Sequence, residues 1–430
     1  MCWTVSQPLT GYEVIGGLMS VAAAFAYVNH RWVRLPPAIG MMAMSLCASM
    51  SLLGLERLGL LSVSGHAAAV LAHLSFDQTL LHGMLGALLF AGALHVDLDD
   101  LREQRLAIGV LALLGTTLSS LAVGGAMYVL LPLVGLPTPL AFCLLFGTLI
   151  SPTDPIAVLG ILKAAKVPRA LEIKITGESL FNDGVGVVLF LTVSGVVSHG
   201  HADATEVAKL FVQEVAGGLL FGAAGGYLAF RLLRSVDHYQ TELLITLALV
   251  LGGYALAERL HISAPIAAVV SGLLIGNQGR TLAMSDVTRD HLDKFWSLAD
   301  EVLNAVLFVM IGFEMMRLRV SGTLVLAGGL GVVVVLAARW LSVSLPIAAL
   351  GRLTPFARGT VTILTWGGLR GGISVALALS LPVGPHRDAI VAITYAVVVF
   401  SVLVQGLSLG AVARRIGRAR SDEPAGDDGH

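Results

Sequence analysis

The 430-residue chain is poor in charge and in cysteine, and each shortage excludes a class of protein. Charged residues make up 13% and hydrophobic residues 56%, whereas a soluble domain carries about 25% charged residues. The net charge of −1 provides no electrostatic basis for binding nucleic acid. The three cysteines, Cys2, Cys47 and Cys143, have neither CxxC nor metal-ligand spacing. We therefore expect no soluble enzyme, no cofactor and no nucleic-acid partner.

The sequence also lacks the basic segment that precedes the apolar part of a cleavable signal peptide. What it has instead is a series of apolar runs of about 20 residues, the length that crosses a bilayer. The fold class predicted is thus an all-α polytopic membrane protein with about 13 transmembrane helices. The predicted spans are 11–28, 37–56, 78–96, 106–132, 138–162, 171–198, 207–231, 240–257, 262–277, 296–316, 322–350, 358–381 and 387–412.

The distribution of lysine and arginine between the predicted connections predicts the orientation. One set of connections and span ends holds only Arg57, Lys209, Arg259, Arg317, Arg319 and Arg387, and the other holds every other Lys or Arg except Arg339 and Arg370, which fall deep within spans. The basic set is expected to be cytoplasmic, which places the N-terminus outside and the C-terminus inside. Residues 280–295 are predicted to be a polar connector, with an interfacial helix as one form, and residues 413–430 a short cytoplasmic tail.

Two prolines interrupt the fifth predicted span, in the sequence SPTDP at residues 151–155. A proline removes a backbone N–H and clashes with the carbonyl four residues back, so the carbonyls of Thr148 and Ser151 lose their helical partners. Inside a bilayer these groups need protein, water or an ion. The broken helix beside Asp154 therefore favours a cation site. The alternative is a simple proline kink that Asp154 caps.

The sixth predicted span contains two carboxylates in the segment GESLFNDG, residues 177–184. A charge at bilayer depth costs about 2.5–3.5 kcal/mol on insertion scales, so such residues persist mainly when they are functional or paired. Ser179 and Asp183 share one helix face, and Glu178 and Asn182 share a neighbouring face. Different partners are expected for the two acids. A structural ion-paired cluster is the alternative for both.

Two arginines also fall within predicted spans. Arg339 needs a buried anion, and Glu178 is the best candidate for a structural pair. Arg370 stands among four glycines in GGLRGG, residues 367–372, a composition that weakens a helix or allows close helix packing. We expect Arg370 to neutralise either carbonyl ends or Asp154.

The fifth and twelfth predicted spans are thus both interrupted, and they lie seven spans apart. Equivalent helices at this odd offset run in opposite directions, which indicates two inverted-topology repeats with a site near the midplane. Within a transmembrane domain of residues 1–412, the predicted repeats are residues 11–198 and 240–412. The helix at 207–231 is the predicted linker between them.

The stretch from Ser151 to Gly186, and GESLFNDG above all, resembles the core of the cation/proton antiporter superfamily in its NhaP/NHE branch. The resemblance extends to LLFAGALHVDL at residues 88–98, to Arg339 and to WGGLRGG at residues 366–372. It implies a homodimer in which a core bundle, formed by spans 4–6 and 11–13, moves against a dimerisation part. It also implies 1:1 electroneutral exchange of Na⁺ for H⁺.

Carried onto this sequence, the resemblance assigns roles to individual residues. Asp183 is the carboxylate that binds the ion, Ser179 and Thr153 are further ligands, and Asp154 lies beside them. Asn182, Glu178, Arg339 and Arg370 support the site. The chain departs from some relatives at Ala91, where they have an acidic residue, so one ligand is missing or supplied by water.

The residues themselves indicate how exchange would work. Burial disfavours the anion of an aspartate, and either a proton or Na⁺ neutralises it, so the two cations compete. The expected function is therefore antiport of Na⁺ or Li⁺ against H⁺, in a bacterial inner membrane and in contact with its lipids. Because charge alone does not distinguish Na⁺, Li⁺ and K⁺, a K⁺/H⁺ antiporter of the same design is an alternative. An organic-anion symporter, or a channel or structural membrane protein, are further alternatives.

Overall fold

A computed structural model describes residues 11–59, 79–165, 167–199, 204–317, 321–351, 356, 359–382 and 384–421, and this part of the chain is helical without a strand. Short π-helical or 3₁₀ segments join several helices. The α-helices are α1 (Gly11–Val28), α2 (Pro37–Arg57), α3 (Leu85–Leu94), α4 (Leu98–Glu103), α5 (Arg105–Val110), α6 (Thr116–Leu130), α7 (Leu140–Ile150), α8 (Ile156–Ala164), α9 (Arg169–His199), α10 (Ala204–Leu233), α11 (Tyr239–Arg259), α12 (Ala264–Leu274), α13 (Arg280–Leu282), α14 (Asp286–Glu314), α15 (Gly322–Leu350), α16 (Thr360–Trp366), α17 (Gly372–Leu379), α18 (Pro385–Phe400) and α19 (Gly406–Ser421).

Within the described ranges, nine helices are long and apolar enough to cross a membrane, and three shorter apolar helices accompany them. Helical segments occupy each of the predicted span ranges, which confirms the all-helical membrane class. The number of thirteen crossings stays a prediction. Large apolar side chains such as Leu220 and Val333 point outward, as expected where lipid rather than water surrounds the bundle.

Two predicted boundaries are wrong. The connector at 280–295 is not a separate element, because α14 begins at Asp286, where the Ser285 hydroxyl caps it, and runs unbroken into the tenth predicted span. Its charged residues share the helix with buried Leu292 and Trp296, so this is the amphipathic start of a long helix. The last helix likewise continues past residue 412 to Ser421. Residues 422–430 of the predicted tail, and Cys2, Lys166, Arg319, Arg352 and Arg358, lie outside the described residues.

The two predicted interruptions are present. The fifth predicted span divides into α7 and α8, which the prolines at 152 and 155 separate, and the twelfth divides into α16 and α17, which residues 367–371 separate. Each proline lacks the N–H that would continue the helix. In the glycine segment, the N–H groups of Gly367 and Leu369 still make local turns to Ile363 and Gly367.

Helix contacts occur in pairs that the seven-span offset relates. As α2 packs on α14, α12 packs on α3, and as α1 packs on α14, α11 packs on α3. The helices α6 and α15, which correspond to each other under this offset, pack together. This pairing is what an internal repeat at the seven-span offset would produce. The inverted topology of the two repeats stays a prediction. The division into a core bundle and a dimerisation part stays a prediction.

Candidate cation site

The two interrupted helices meet where each is unwound. The backbone N–H of Asp154 donates a 2.8 Å hydrogen bond to the carbonyl oxygen of Leu369. At Gly371 a side chain would collide with the Asp154 carboxyl group, so glycine is what allows the second break to approach the first. The crossing therefore brings SPTDP and GGLRGG together, as the shared break pattern indicates.

Arg370 closes the open end of α7. Its Nη1 donates to the carbonyl oxygens of Ser151, at 2.5 Å, and Pro152, at 2.9 Å, and its backbone N–H donates to the Ser401 hydroxyl at 2.9 Å. The side chain is fully buried. Of the two expected partners, the carbonyl ends are those it binds. A guanidinium at a helix C-terminus offsets the partial negative charge of that end.

On the other side of the break, Thr153 is tied to α9. Its hydroxyl lies 3.0 Å from the Ser179 hydroxyl and accepts a 2.8 Å hydrogen bond from Asn182 Nδ2. Its backbone N–H donates to Asn182 Oδ1 at 3.3 Å. Thr153, Ser179 and Asn182, which the sequence predicts to belong to the site, are thus in direct contact through Thr153, and all three are buried. Asn182 satisfies one donor and one acceptor of Thr153 in the broken segment, which an ionised aspartate cannot do because it only accepts hydrogen bonds.

Gly186 sets how closely α9 approaches this break. A Cβ atom at Gly186 would overlap the ring of Pro152, so only a residue without a side chain lets the helix pack here. The glycine lies one turn beyond Asp183 on the same helix. Close packing at this point positions that carboxylate beside the broken segment.

The predicted pair of Glu178 and Arg339 is present. Arg339 Nη1 and Nη2 donate to the two carboxylate oxygens at 2.5 and 3.1 Å, and Arg339 also donates to the carbonyl of Leu364. Both side chains are buried. The pair ties α9, α15 and α16 together and does not line the cavity described next.

A cavity of about 310 Å³ leads to the crossing. Three carboxylates line it, those of Asp154, Asp183 and Asp300, and no Lys or Arg is among its lining residues in the described part of the chain. Ala91 lines the cavity too, so the position where some relatives have an acid faces this space.

The predicted ligands separate into two groups in this structure. Asp183 and Asp154 border the cavity, whereas Ser179 and Thr153 do not border it and contact each other instead. Within the described residues, no three His, Cys, Asp or Glu side chains are placed to hold one metal ion. Any cation at Asp183 would thus depend on hydroxyl, carbonyl or water oxygens as well.

Sequence reasoning missed several acids that lie within predicted spans. Asp300, which is half-buried, lines the same cavity as Asp183, together with Asn304 one turn further along α14. Glu242 and Glu314 are buried within long helices. The signal that could have found them is the one used for Asp183, a carboxylate inside a predicted span.

A second, wider cavity of about 970 Å³ adjoins the first, since Asp300 and Asn304 line both. Its walls come from α1, α2 and α14 and include Arg34, which lies in the connection between the first two helices. That connection belongs to the basic set. The two cavities therefore approach the crossing from the end of the bundle that is predicted to be cytoplasmic.

Together, the helical bundle and the carboxylates buried in it define an integral membrane protein of the class to which ion-coupled transporters belong. The family model described as "Sodium/hydrogen exchanger, transmembrane" matches residues 20–415. The chain therefore belongs to the sodium/hydrogen exchanger family, which confirms the resemblance seen in the sequence.

Individual relatives agree with the family model. The chain is 50% identical over 409 residues to the Na⁺/H⁺ antiporter NhaP of Pseudomonas aeruginosa, which covers 94% of this chain and 96% of that protein. It is 36% identical over 347 residues to the Na⁺/H⁺ antiporter NhaH of Halobacillus dabanensis, and this match covers 80% of this chain and 84% of that protein. These relatives are named as transporters and not as enzymes.

The fold has a counterpart among solved structures. The sodium proton antiporter MjNhaP1 from Methanocaldococcus jannaschii superimposes with a TM-score of 0.74 over 94% of this chain and 99% of that one, at 17% sequence identity. This likeness shows that the two chains share a fold.

Proposed function

We propose that this protein exchanges Na⁺ or Li⁺ for H⁺, one for one, by alternating access, and that Asp183 binds either ion. The observation that carries the proposal is the position of Asp183, which is buried on α9 beside the crossing of two broken helices and borders a cavity with no Lys or Arg in its lining. The names of the relatives, Na⁺/H⁺ antiporters, support Na⁺ and H⁺ as the exchanged ions.

The coupling follows from the cost of moving a bare charge. A proton or a monovalent cation neutralises the Asp183 carboxylate, so either loaded form carries little local charge. The empty carboxylate would have to face a low-dielectric barrier, where an unpaired charge is very unfavourable. The domain that carries Asp183 then moves when loaded and stays in place when empty. Because Asp183 alone is proposed to bind the proton, and Asn182 does not titrate, one proton exchanges for one cation.

The remaining ligands are proposed from their position. Thr153 on the broken segment and Ser179 on α9, one turn before Asp183, each offer a hydroxyl oxygen. Asp154 adds a second carboxylate at the cavity. Oxygen ligands of this type suit a hard cation. Release of the mutual Thr153–Ser179 contact would free both oxygens for the ion. Asn182 and Arg370 hold the broken segment in place.

The test is proton flux in everted vesicles from bacteria that lack their own antiporters. Adding NaCl should collapse the preformed proton gradient with the unaltered protein, and Asp183→Asn should abolish this response while the protein still accumulates in the membrane. A matched control is Glu103→Gln, which removes an exposed carboxylate from α4. Sodium-dependent flux that persists in Asp183→Asn would remove the basis of the proposal.

The same vesicles decide which cation is exchanged. LiCl and KCl in place of NaCl separate a Na⁺/Li⁺ antiporter from the K⁺/H⁺ alternative, which the oxygen ligands alone do not. Valinomycin with K⁺, which clamps the membrane potential, tests electroneutrality: a 1:1 exchange rate should not change. The lining of the cavity offers no Lys or Arg to bind an organic anion, which argues against a symporter for such substrates.

The assembly and orientation are part of the proposal. We infer a homodimer in a bacterial plasma membrane, in contact with its lipids, with the N-terminus outside and the C-terminus in the cytoplasm. The outward apolar side chains of α10, such as Leu220 and Leu228, offer a surface for lipid or for a second copy. With this orientation, the cavity at Asp183 opens inward. Native mass spectrometry of the purified protein measures the number of copies.

A further inference from the structure

Asp300 stands at the junction of the two cavities. It lines the 310 Å³ cavity that reaches Asp183 and also the 970 Å³ cavity at the basic end of the bundle. Asn304, one turn along α14, lines both cavities as well. A cation that moves from the wide cavity towards Asp183 therefore passes these two side chains.

The amide of Asn304 has a fixed orientation and a free oxygen. Its Nδ2 donates to the carbonyl oxygen of Asp300 at 2.8 Å and to Asp300 Oδ1 at 3.0 Å. Since both contacts are acceptors, the nitrogen has to occupy this position. Asn304 Oδ1 is then left buried without a hydrogen-bond partner among the described residues, on a side chain that is 5% exposed. A buried acceptor without a partner is unfavourable, and a bound cation would give it one.

The electrostatics of this junction also favour a cation. The ionisable side chains that line the inner cavity are three aspartates and His95. His95 is engaged on both ring nitrogens, with Ala91 O 2.8 Å from Nδ1 and Ser297 Oγ 3.2 Å from Nε2. A cleft that carries one sign of charge between low-dielectric walls concentrates counter-ions.

We propose that Asp300 and Asn304 form a second cation-binding position, an access station, which a monovalent cation occupies before it reaches Asp183. The station uses the Asp300 carboxylate and the free Asn304 amide oxygen, with water as the remaining ligands. The station is distinct from the position at Asp183, because Asp300 and Asn304 also line the wide cavity and Asp183 lines only the inner one. That the cation continues to Asp183 rests on the proposed function.

Binding tests the station without transport. In purified Asp183→Asn protein, the ²³Na NMR line should still broaden when NaCl is added, because the station still binds Na⁺. The reference is the line width of the same protein in the presence of saturating KCl. The broadening should disappear in Asp183→Asn/Asp300→Asn and persist in Asp183→Asn/Glu301→Gln. Glu301 is the matched control, since it neighbours Asp300 and lines only the wide cavity. No broadening in Asp183→Asn, or broadening that survives loss of Asp300, would overturn the station.

Transport supplies the second measurement. Asp300→Asn should raise the Na⁺ concentration for half-maximal exchange roughly tenfold, which corresponds to a loss of about 1.4 kcal/mol in binding, and should leave exchange at saturating Na⁺ largely intact. Asn304→Leu should shift it in the same direction, and Glu301→Gln should leave it unchanged. An unchanged half-maximal concentration in both Asp300→Asn and Asn304→Leu refutes the station. If the unaltered protein exchanges no cation, the proposed function fails instead, and the NMR comparison still decides on the station.

Discussion

The backbone N–H of Asp154 and the carbonyl oxygen of Leu369 form a 2.8 Å hydrogen bond that joins the two broken helices through their main chains. This bond uses a donor and an acceptor that the breaks would otherwise leave unpaired, a serious cost away from water. Arg370 adds bonds to two more orphan carbonyls. The broken segments are therefore mutually supporting, and each prediction below tests one part of this arrangement or the access to it.

Gly186→Ala should impair exchange, because the added methyl group would overlap the ring of Pro152 and push α9 away from the break. We expect a loss of stability of about 1–3 kcal/mol, as for other overpacked sites, together with a lower exchange rate. Gly195→Ala on the same helix is the control, since nothing lies within 4 Å of its added methyl group. Thermal unfolding in detergent and vesicle flux should separate the two variants. Equal behaviour of both would contradict the close packing at Pro152.

Arg370→Lys keeps the positive charge but shortens the side chain and removes the planar guanidinium. The contacts to Ser151 and Pro152 both come from Nη1, at the far end of the arginine, so the shorter lysine would withdraw its donor from these carbonyls and leave part of the buried volume empty. We expect a stability loss of about 1–3 kcal/mol from carbonyls left unpaired, measured as a lower midpoint of thermal unfolding. A lysine variant as stable as the parent would mean that charge alone, rather than the carbonyl bonds, is what this position requires.

Glu178→Ala should reduce the folded yield, because it leaves the Arg339 guanidinium buried with only the Leu364 carbonyl as partner. Removal of one member of a buried pair typically costs about 3–5 kcal/mol. The exchanged pair, Glu178→Arg with Arg339→Glu, should recover part of the yield. Fluorescence-detected size-exclusion chromatography gives the measurement. Normal yield and stability of Glu178→Ala would show that the pair does not support the fold.

Gly92→Cys should react with a membrane-impermeant maleimide from the cytoplasmic side, in a background without the native cysteines. Gly92 lines the cavity and has nothing within 4 Å of an added side chain. Val333→Cys is the control, because Val333 is exposed on α15 where lipid would surround it, and a thiol in lipid does not form the reactive thiolate. Labelling of Gly92→Cys in right-side-out rather than everted vesicles would reverse the predicted orientation.

Most of the helical architecture could be predicted because lipid imposes a simple rule: an apolar run of sufficient length becomes a helix. The breaks could be predicted for a related reason, since Pro152 and Pro155 lack the N–H that a helix needs. The partner of Arg339 followed by elimination among few buried acids. In each case a single energetic cost, that of an unpaired backbone group or charge away from water, left few structures that could avoid it.

What could not be predicted depends on which faces meet. The sequence allowed Arg370 to bind either Asp154 or carbonyl ends, and only the crossing geometry places it on Ser151 and Pro152. The polar start of α14 looked like a connector, because the burial of its apolar face on neighbouring helices is a tertiary property. Asp300 carries the same sequence signal as Asp183, a carboxylate within a predicted span, but the cavity that it shares with Asp183 is formed by helices distant in sequence.

The charges at the crossing have an electrical consequence. Arg370 and Asp154 carry opposite charges on the two broken segments that cross. The charges of the Glu178–Arg339 ion pair also sum to zero. A membrane potential does work only on net charge that moves across it, about 2.3 kcal/mol per elementary charge per 100 mV. When Asp183 holds a proton or a cation, the net charge of these five side chains is zero. Under the proposed cycle, voltage would neither drive the loaded protein nor hold it back.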